Sequence, residues 1–372
     1  MKKRTIFLLA AVMMVFAACK DNNEPSVTNI TNNYGTNSGE ISCSVDHANV
    51  LAKGSSFTIK ISSKSAWSAS SDKSWISISP SSGQGDTYVT ITSYAGDEGI
   101  ANVLFTNGSN SAPLVINRLK PGLLPGKFAV SATDTIHFSQ GNLQYRATVD
   151  TWQFAGKQYE IIGDGNKNIS PTYSGWIDLF GWGTGDDPTK ASTDYSDYAA
   201  YAEWGDNPIS NGGNKANMWR TLTKDEWVYL LHGRSNAEIL FGLGTIDGIN
   251  GAIMLPDNWV LPAGVSFTAS TTKGMSWQGT SYYNANFDSF LDNTYSSEEW
   301  EVMEAAGAVF LPGADQRIGT SMYYVWCGYY WSATSIDGVE AYSLVCSDGY
   351  FAPTNNSSQY NGLSVRLVQD VK

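Results

Sequence analysis

Between Ile41 and Leu119 the chain is cut into short runs in which apolar and polar residues alternate, with no helical stretch between them. Ser56-Phe57-Thr58-Ile59-Lys60-Ile61, Trp75-Ile76-Ser77-Ile78, Tyr88-Val89-Thr90-Ile91 and Val103-Leu104-Phe105 each put every second side chain on one face, and Gly, Ser, Asn and Asp fill the gaps. A period of two belongs to a strand buried on one side, because successive side chains leave a strand in opposite directions. Several such runs in about 80 residues predict an all-β sandwich over residues 41–119.

Within it, Trp67 and Trp75 flank the polar segment Ser68-Ala69-Ser70-Ser71-Asp72-Lys73-Ser74, and Pro80-Ser81-Ser82-Gly83 closes the next strand. This arrangement resembles the BACON domain, an immunoglobulin-like module found mainly on surface proteins of Bacteroidetes and proposed to bind carbohydrate. The resemblance implies a spacer or an accessory binder. In-facing aromatics dominate the interiors of small sandwiches, so both tryptophans read as core rather than as sugar platforms.

Lys120-Pro121-Gly122 and Leu124-Pro125-Gly126 mark a linker over residues 120–126 by their turn chemistry. The remainder, residues 127–372, is long enough for a substantial core of its own. It opens with strand-like segments from Phe128 to Tyr145 and from Thr151, then enters the Gly-, Trp- and Asp-rich stretch GWIDLFGWGTGDDP. Two capping boxes announce helices: Thr223-Lys224-Asp225-Glu226 ahead of Trp227, Leu230 and Leu231, and Ser296-Ser297-Glu298-Glu299 ahead of Trp300 and Met303. Strand-like AIMLPDNW, AVFLPG, GYYWSAT, AYSLVC and LSVRLV lie between and after them. Two helices among many short strands predict an α+β domain with long loops.

Arg220-Thr221-Leu222-Thr223-Lys224-Asp225-Glu226-Trp227 resembles the helix entry of the formylglycine-generating-enzyme-like group. The series Tyr330-Trp331-Ser332, Ala341 to Leu344 and Ser364-Val365-Arg366-Leu367-Val368 is similar to the Fibrobacter-type major paralogous domain. Both resemblances imply a C-type-lectin-like fold, in a family chiefly of uncharacterised surface lipoproteins. The copper-binding cysteine pair of formylglycine-generating enzymes has no counterpart, since Cys327 stands alone and Cys346 lies on a later strand. Leu255-Pro256-Asp257-Asn258-Trp259 lacks the acidic or amide residue that calcium-dependent lectins place before proline. Neither oxidase activity nor calcium-dependent sugar binding is therefore implied.

The chain begins with three cations, an apolar run too short to span a bilayer comfortably, and small residues before Cys19. Residues 1–18 read as a secretory signal peptide. Phe16-Ala17-Ala18-Cys19 resembles the lipobox of bacterial lipoproteins, which implies a lipidated Cys19 whose buried methylenes each contribute about 0.8 kcal/mol to membrane attachment. Lys20-Asp21 and Glu24 resemble an export tag that sends lipoproteins to the outer cell surface, and the polar, Asn-rich residues 19–40 read as a flexible tether. Cleavage would remove three cations and no anions, so the net charge moves from −12 to about −15. Nucleic acid is excluded as a partner, because phosphate binding needs clustered Lys and Arg.

No Gly-x-Ser-x-Gly, His-Glu-x-x-His, phosphate loop or Cys-x-x-Cys occurs, and His47, His137 and His232 are scattered. No cofactor is expected. Cys327 and Cys346 are candidates for a disulfide, which by loop entropy would contribute roughly 3 kcal/mol, and Cys43 reads as a buried thiol. Asp186, Asp187, Asp194 and Asp197 read as solvated charges, with a calcium-binding loop as the alternative. Tyr195, Tyr198, Tyr201 and Trp204 either form an exposed binding face or fold back over the core. In MYYVWCGYYW, Tyr330 and Trp331 read as packing residues, whereas Tyr323 and Tyr324 are the candidates for an exposed face.

These readings converge on a non-catalytic lipoprotein of the outer membrane, exposed on the cell surface. It would bind a glycan or a protein through residues 127–372. The alternatives are a carbohydrate-active enzyme using a carboxylate pair, or a structural or adhesin subunit.

Overall fold

The alternation in the first part of the chain is realised as two facing sheets. The computed structural model describes residues 41–371 apart from 109, 263, 285–288 and 325–326, so the signal segment, Cys19 and the tether lie outside the described residues. The strands are β1 (Ile41–Cys43), β2 (His47–Val50), β3 (Ser55–Ser63), β4 (Ala66–Ser71), β5 (Ile76–Ser79), β6 (Ser82–Gln84), β7 (Thr87–Ser93), β8 (Gly99–Asn107) and β9 (Asn110–Arg118). One sheet runs β1-β3-β7-β5 and the other β2-β9-β8-β4-β6. Neighbours are antiparallel except β2 and β9, which pair in parallel.

Along β8, Ala101, Val103 and Phe105 are buried while Asn102 and Leu104 face solvent, as a strand with one wet side requires. Trp67 is buried in the same core with its ring 6.0 Å from that of Phe105. Trp75 is half-buried beneath the Arg118 guanidinium, 4.2 Å from its ring centre. Both tryptophans are thus packing residues.

From Phe128 most strands are shorter, and they fall into five further sheets among the described residues. A three-stranded sheet joins Phe128–Ala129 and Val368–Asp370 to the two sides of Thr135–Phe138, so the first and last strands of this part of the chain are separated by a single strand. A five-stranded sheet is ordered Ser276–Gln278, Ser281–Tyr283, Tyr350–Ser358, Glu340–Ser347, Gly328–Ser335. The chain as described is mostly β-sheet, with α1 (Lys224–Val228), continued by a π turn over Tyr229–Gly233, and α2 (Ser297–Ala305).

Both capping boxes form. The Thr223 backbone N–H donates to Glu226 Oε2 at 2.8 Å, and that of Ser296 to Glu299 Oε2 at 2.8 Å. Trp227, Leu230 and Leu231 are buried behind the first box, and Trp300 and Met303 behind the second. The segment LSVRLV departs from the strand expected of it: Val365, Arg366 and Leu367 leave regular pairing. Within this stretch the Arg366 guanidinium is spread over three acceptors, Asn142 Oδ1 at 3.1 Å, Gln158 Oε1 at 2.7 Å and the Phe310 carbonyl at 3.1 Å.

The two parts of the chain are packed together. Leu51 and Leu119 belong to the same apolar cluster as Phe128, Phe138 and Val368. Lys53 places Nζ 2.9 Å from Glu304 Oε2, and that carboxylate is almost wholly buried on α2. Its other oxygen accepts from Gln158 Nε2 at 3.2 Å.

The expected bridge between Cys327 and Cys346 is not formed, and both are thiols. Gly328, not Cys327, stands opposite Cys346 in the sheet register. The two cysteines therefore send their side chains to opposite faces: Cys327 packs with Val345 and Ala352, and Cys346 lies in the main core. Burial pushes the Cys346 thiol up to about 12. Cys43 is half-buried and likewise raised, to about 11, chiefly by burial.

Two measurements follow. The chain from Lys20 onward, unfolded in guanidinium without reductant, should titrate three thiols, those of Cys43, Cys327 and Cys346; a count of one would show the bridge. Lys53→Ala removes the counterion of a buried carboxylate and should lower stability by about 1–2 kcal/mol, read as a shifted urea midpoint at unchanged m-value.

Candidate binding surface

Of the four aromatic positions expected either as a loop face or as core, only Tyr195 is exposed, at 51%. Tyr198 and Trp204 are buried outright, and Tyr201 packs against the main core with its ring 4.7 Å from that of Trp182. The cause is the row of glycines in GWGTG. A Cβ on Gly181 would fall 2.3 Å from the Tyr198 ring, one on Gly183 2.7 Å from Tyr201, and one on Gly185 2.4 Å from the Glu203 carbonyl. The segment carrying the rings therefore lies flat on a backbone without side chains. Trp182 and Trp331 fasten the layer, donating their indole N–H to the carbonyls of Ser332 at 2.9 Å and Phe180 at 2.7 Å.

Tyr323 and Tyr324 are exposed, at 46% and 52%. They follow a hairpin of Gln316–Ile318 and Ser321–Tyr323, turned at Gly319 in the left-handed region (φ 58°). Arg317, fully buried, pins the hairpin by donating Nη2 to the Leu179 carbonyl at 3.2 Å and Nη1 to that of Gly319. The Tyr324 hydroxyl donates to Asp164 Oδ1, and the Lys167 ammonium lies 5.4 Å from the Tyr324 ring centre and 3.0 Å from the same carboxylate oxygen. Tyr324 first and Lys167 second hold the Asp164 carboxyl below its ordinary value, and Tyr324 with Asp164 raises Lys167. The result is a solvent-facing shelf of two rings with a carboxylate and an ammonium beside them. The turn carrying Tyr195 lies next to the hairpin, since Thr193 Cγ2 is within 3.3 Å of a Cβ built on Gly319.

Asp164 and Lys167 sit on a short helical turn, Gly163–Asn168, that is held from below. Asp178, completely buried, accepts from Asn166 Nδ2 at 2.7 Å and from the Ile162 N–H at 2.9 Å. Asn166 Oδ1 in turn accepts from the backbone N–H groups of Asp178 at 3.0 Å and Leu179 at 3.2 Å. One clasp thus ties the turn to the segment whose Leu179 carbonyl receives Arg317. None of Asp164, Lys167 and Asp178 was singled out from the sequence; the only local signal was the Gly-Asp-Gly-Asn-Lys-Asn run, which reads as a turn.

The four aspartates do not converge on a cation site. Asp194 caps the turn Tyr195–Tyr198, accepting from the Ser196 N–H at 2.9 Å, and Asp187 pairs with Lys190 at 3.8 Å. Among the described residues no group of three or more His, Cys, Asp or Glu side chains is placed to hold a metal ion. His232 stacks on Trp277 with ring centres 4.1 Å apart, and His137 Nδ1 meets the Leu124 carbonyl at 2.9 Å.

No protein-family model and no curated protein matches the chain. Among solved structures, a Bacteroides ovatus GH5 xyloglucanase in complex with a XXXG heptasaccharide is 27% identical over 22% of this chain and 18% of that one, at a TM-score of 0.20. SSP-19, an MSP-domain protein of Caenorhabditis elegans, is 16% identical over 21% of this chain and 97% of its own, at 0.19. Domains 4 and 5 of the S-layer protein SbsC are 19% identical over 21% of this chain and 50% of theirs, at 0.18. Likenesses this partial assign neither a fold family nor an activity.

The clasp beneath the shelf has a pH signature. Burial raises the Asp178 carboxyl from the ordinary 3.8 to about 6, outweighing the hydrogen bonds that favour its charged form. The folded state therefore holds this proton more tightly than the unfolded state. The contribution is full below about pH 4 and is lost as pH rises through about 6, a fall of roughly 2–3 kcal/mol. Urea titrations from pH 4 to pH 7 should show this decline in the native chain and a flatter profile in Asp178→Asn.

Proposed function

We propose that this chain is a non-catalytic lipoprotein of the outer cell surface, anchored through Cys19, that binds a glycan on the Tyr323–Tyr324 shelf. In this reading residues 41–119 form an immunoglobulin-like, BACON-like spacer and residues 127–372 a C-type-lectin-like domain. The observation that carries the binding assignment is the pair of half-exposed rings on a hairpin pinned by a buried arginine. Rigid aromatic area at the surface is available to the C–H face of a sugar at little entropic cost, and Asp164 and Lys167 beside it offer an acceptor and a donor to ring hydroxyls. The lipobox-like Phe16-Ala17-Ala18-Cys19 and the acidic net charge support the location.

A glycan array probed with the whole mature chain tests the function. The double variant Tyr323→Ala/Tyr324→Ala should weaken binding of the retained glycans at least about tenfold while changing stability by no more than about 0.5 kcal/mol. An array without retained glycans, or a variant that binds as the native chain does, overturns the reading. The anchor is tested separately: Cys19→Ala should lose both metabolically incorporated acyl label and sedimentation with membranes.

A further inference from the structure

The seam between the two parts of the chain holds a cleft of about 560 Å³, within the range of small-molecule sites. His137 and Gln369 both line it, directly opposite each other on the antiparallel strands Thr135–Phe138 and Val368–Asp370. Gln369 Nε2 is buried there and meets no acceptor among the described residues. A buried amide donor left unpaired costs about 1–3 kcal/mol, so an acceptor at this position would be favourable.

The walls set the chemistry of that acceptor. Glu98, Arg118 and Lys120 come from the first part of the chain and its linker, and Asn217 and Asp370 from the second. Asp370 Oδ1 accepts from Arg220 Nε at 3.0 Å and Nη2 at 2.7 Å, but that guanidinium is shared with Glu226, so Asp370 still counts as a charge of the cleft. Arg118 and Lys120 are matched in charge by Glu98 and Asp370, so the cleft lining has no excess of either sign to hold an ion. Leu119, Leu123, Met218 and Val371 add apolar patches to the lining, but a wholly apolar ligand would be stranded against its amide, imidazole, ammonium, guanidinium and carboxylate groups. A neutral molecule bearing many hydroxyls, each both donor and acceptor, meets every one of these groups.

We propose that the seam cleft binds a neutral polyhydroxylated ligand of one or two sugar rings, held by Gln369, His137 and Asn217. The site is separate from the tyrosine shelf and does not depend on it. Because residues from both parts of the chain line the cleft, an occupied site also fastens the two together.

The test is two-dimensional NMR of the full mature chain, titrated to millimolar concentration with common hexose, pentose and N-acetylhexosamine mono- and disaccharides. At least one sugar should shift the Gln369 side-chain amide and the His137 ring signals. Gln369→Leu should weaken that sugar at least tenfold. Asn217→Gly, which keeps the left-handed turn at this position (φ 58°), should weaken it too. Tyr323→Ala/Tyr324→Ala should leave it unchanged, which separates this site from the shelf. The proposal is overturned if no sugar in the panel moves these signals, if the shifts persist undiminished in Gln369→Leu, or if inorganic phosphate alone produces them.

Discussion

Arg366 is the group around which the second part of the chain is assembled. Its guanidinium is fully buried, and burial draws its ordinarily very high pKa down to about 10. A buried cation is tolerated only where hydrogen bonds and counter-charge surround it. Here the hydrogen bonds come from far apart in sequence, Asn142 and Gln158 from the opening segments and the Phe310 carbonyl from a strand after α2, and the counter-charge is Glu304. Gln158 then leads to Glu304, and Glu304 to Lys53 in the sandwich. Tyr330 joins the same chain through the Asn142 amide at 3.2 Å. Withdrawing any one member leaves another polar group buried without its partner, which is why so irregular a backbone adopts one arrangement.

Two more arginines act similarly where regular pairing stops. Arg234, after the π turn that ends α1, donates to the carbonyls of Leu230 at 2.7 Å and Leu255 at 2.8 Å and reaches Asp257 at 3.0 Å. Arg317 does the same for the hairpin that leads to the tyrosine shelf. Backbone carbonyls of irregular segments have no ladder to accept from, and a guanidinium supplies several donors in a fixed plane. Short strands and long turns thereby become a rigid support for exposed rings.

The sandwich was largely legible, because strands with one wet face write their period directly into the sequence, as β8 does with Ala101, Val103 and Phe105. Both helix starts were legible for a comparably local reason, the capping boxes at Thr223 and Ser296. The polar strand Tyr350–Ser358 was not: its Asn and Ser side chains bond across to Ser343, and such pairing leaves no apolar alternation to read. The surface was half legible. Tyr323 and Tyr324 were separated from Tyr330 and Trp331 by their place before the framework strand. The burial of Tyr198, Tyr201 and Trp204 was hidden because it depends on the spacing of glycines in a different segment. The disulfide expectation failed on one residue of register, which sends neighbouring side chains to opposite faces.

The small sheet that unites Phe128–Ala129, Thr135–Phe138 and Val368–Asp370 brings the chain back to where it entered. With its two ends one strand apart, this part of the chain can in principle be attached to a preceding module, or spliced into a host loop, without rethreading its interior. Everything between those ends, including the hairpin and turn that carry the shelf, is then free to change in length and composition while the point of attachment stays the same.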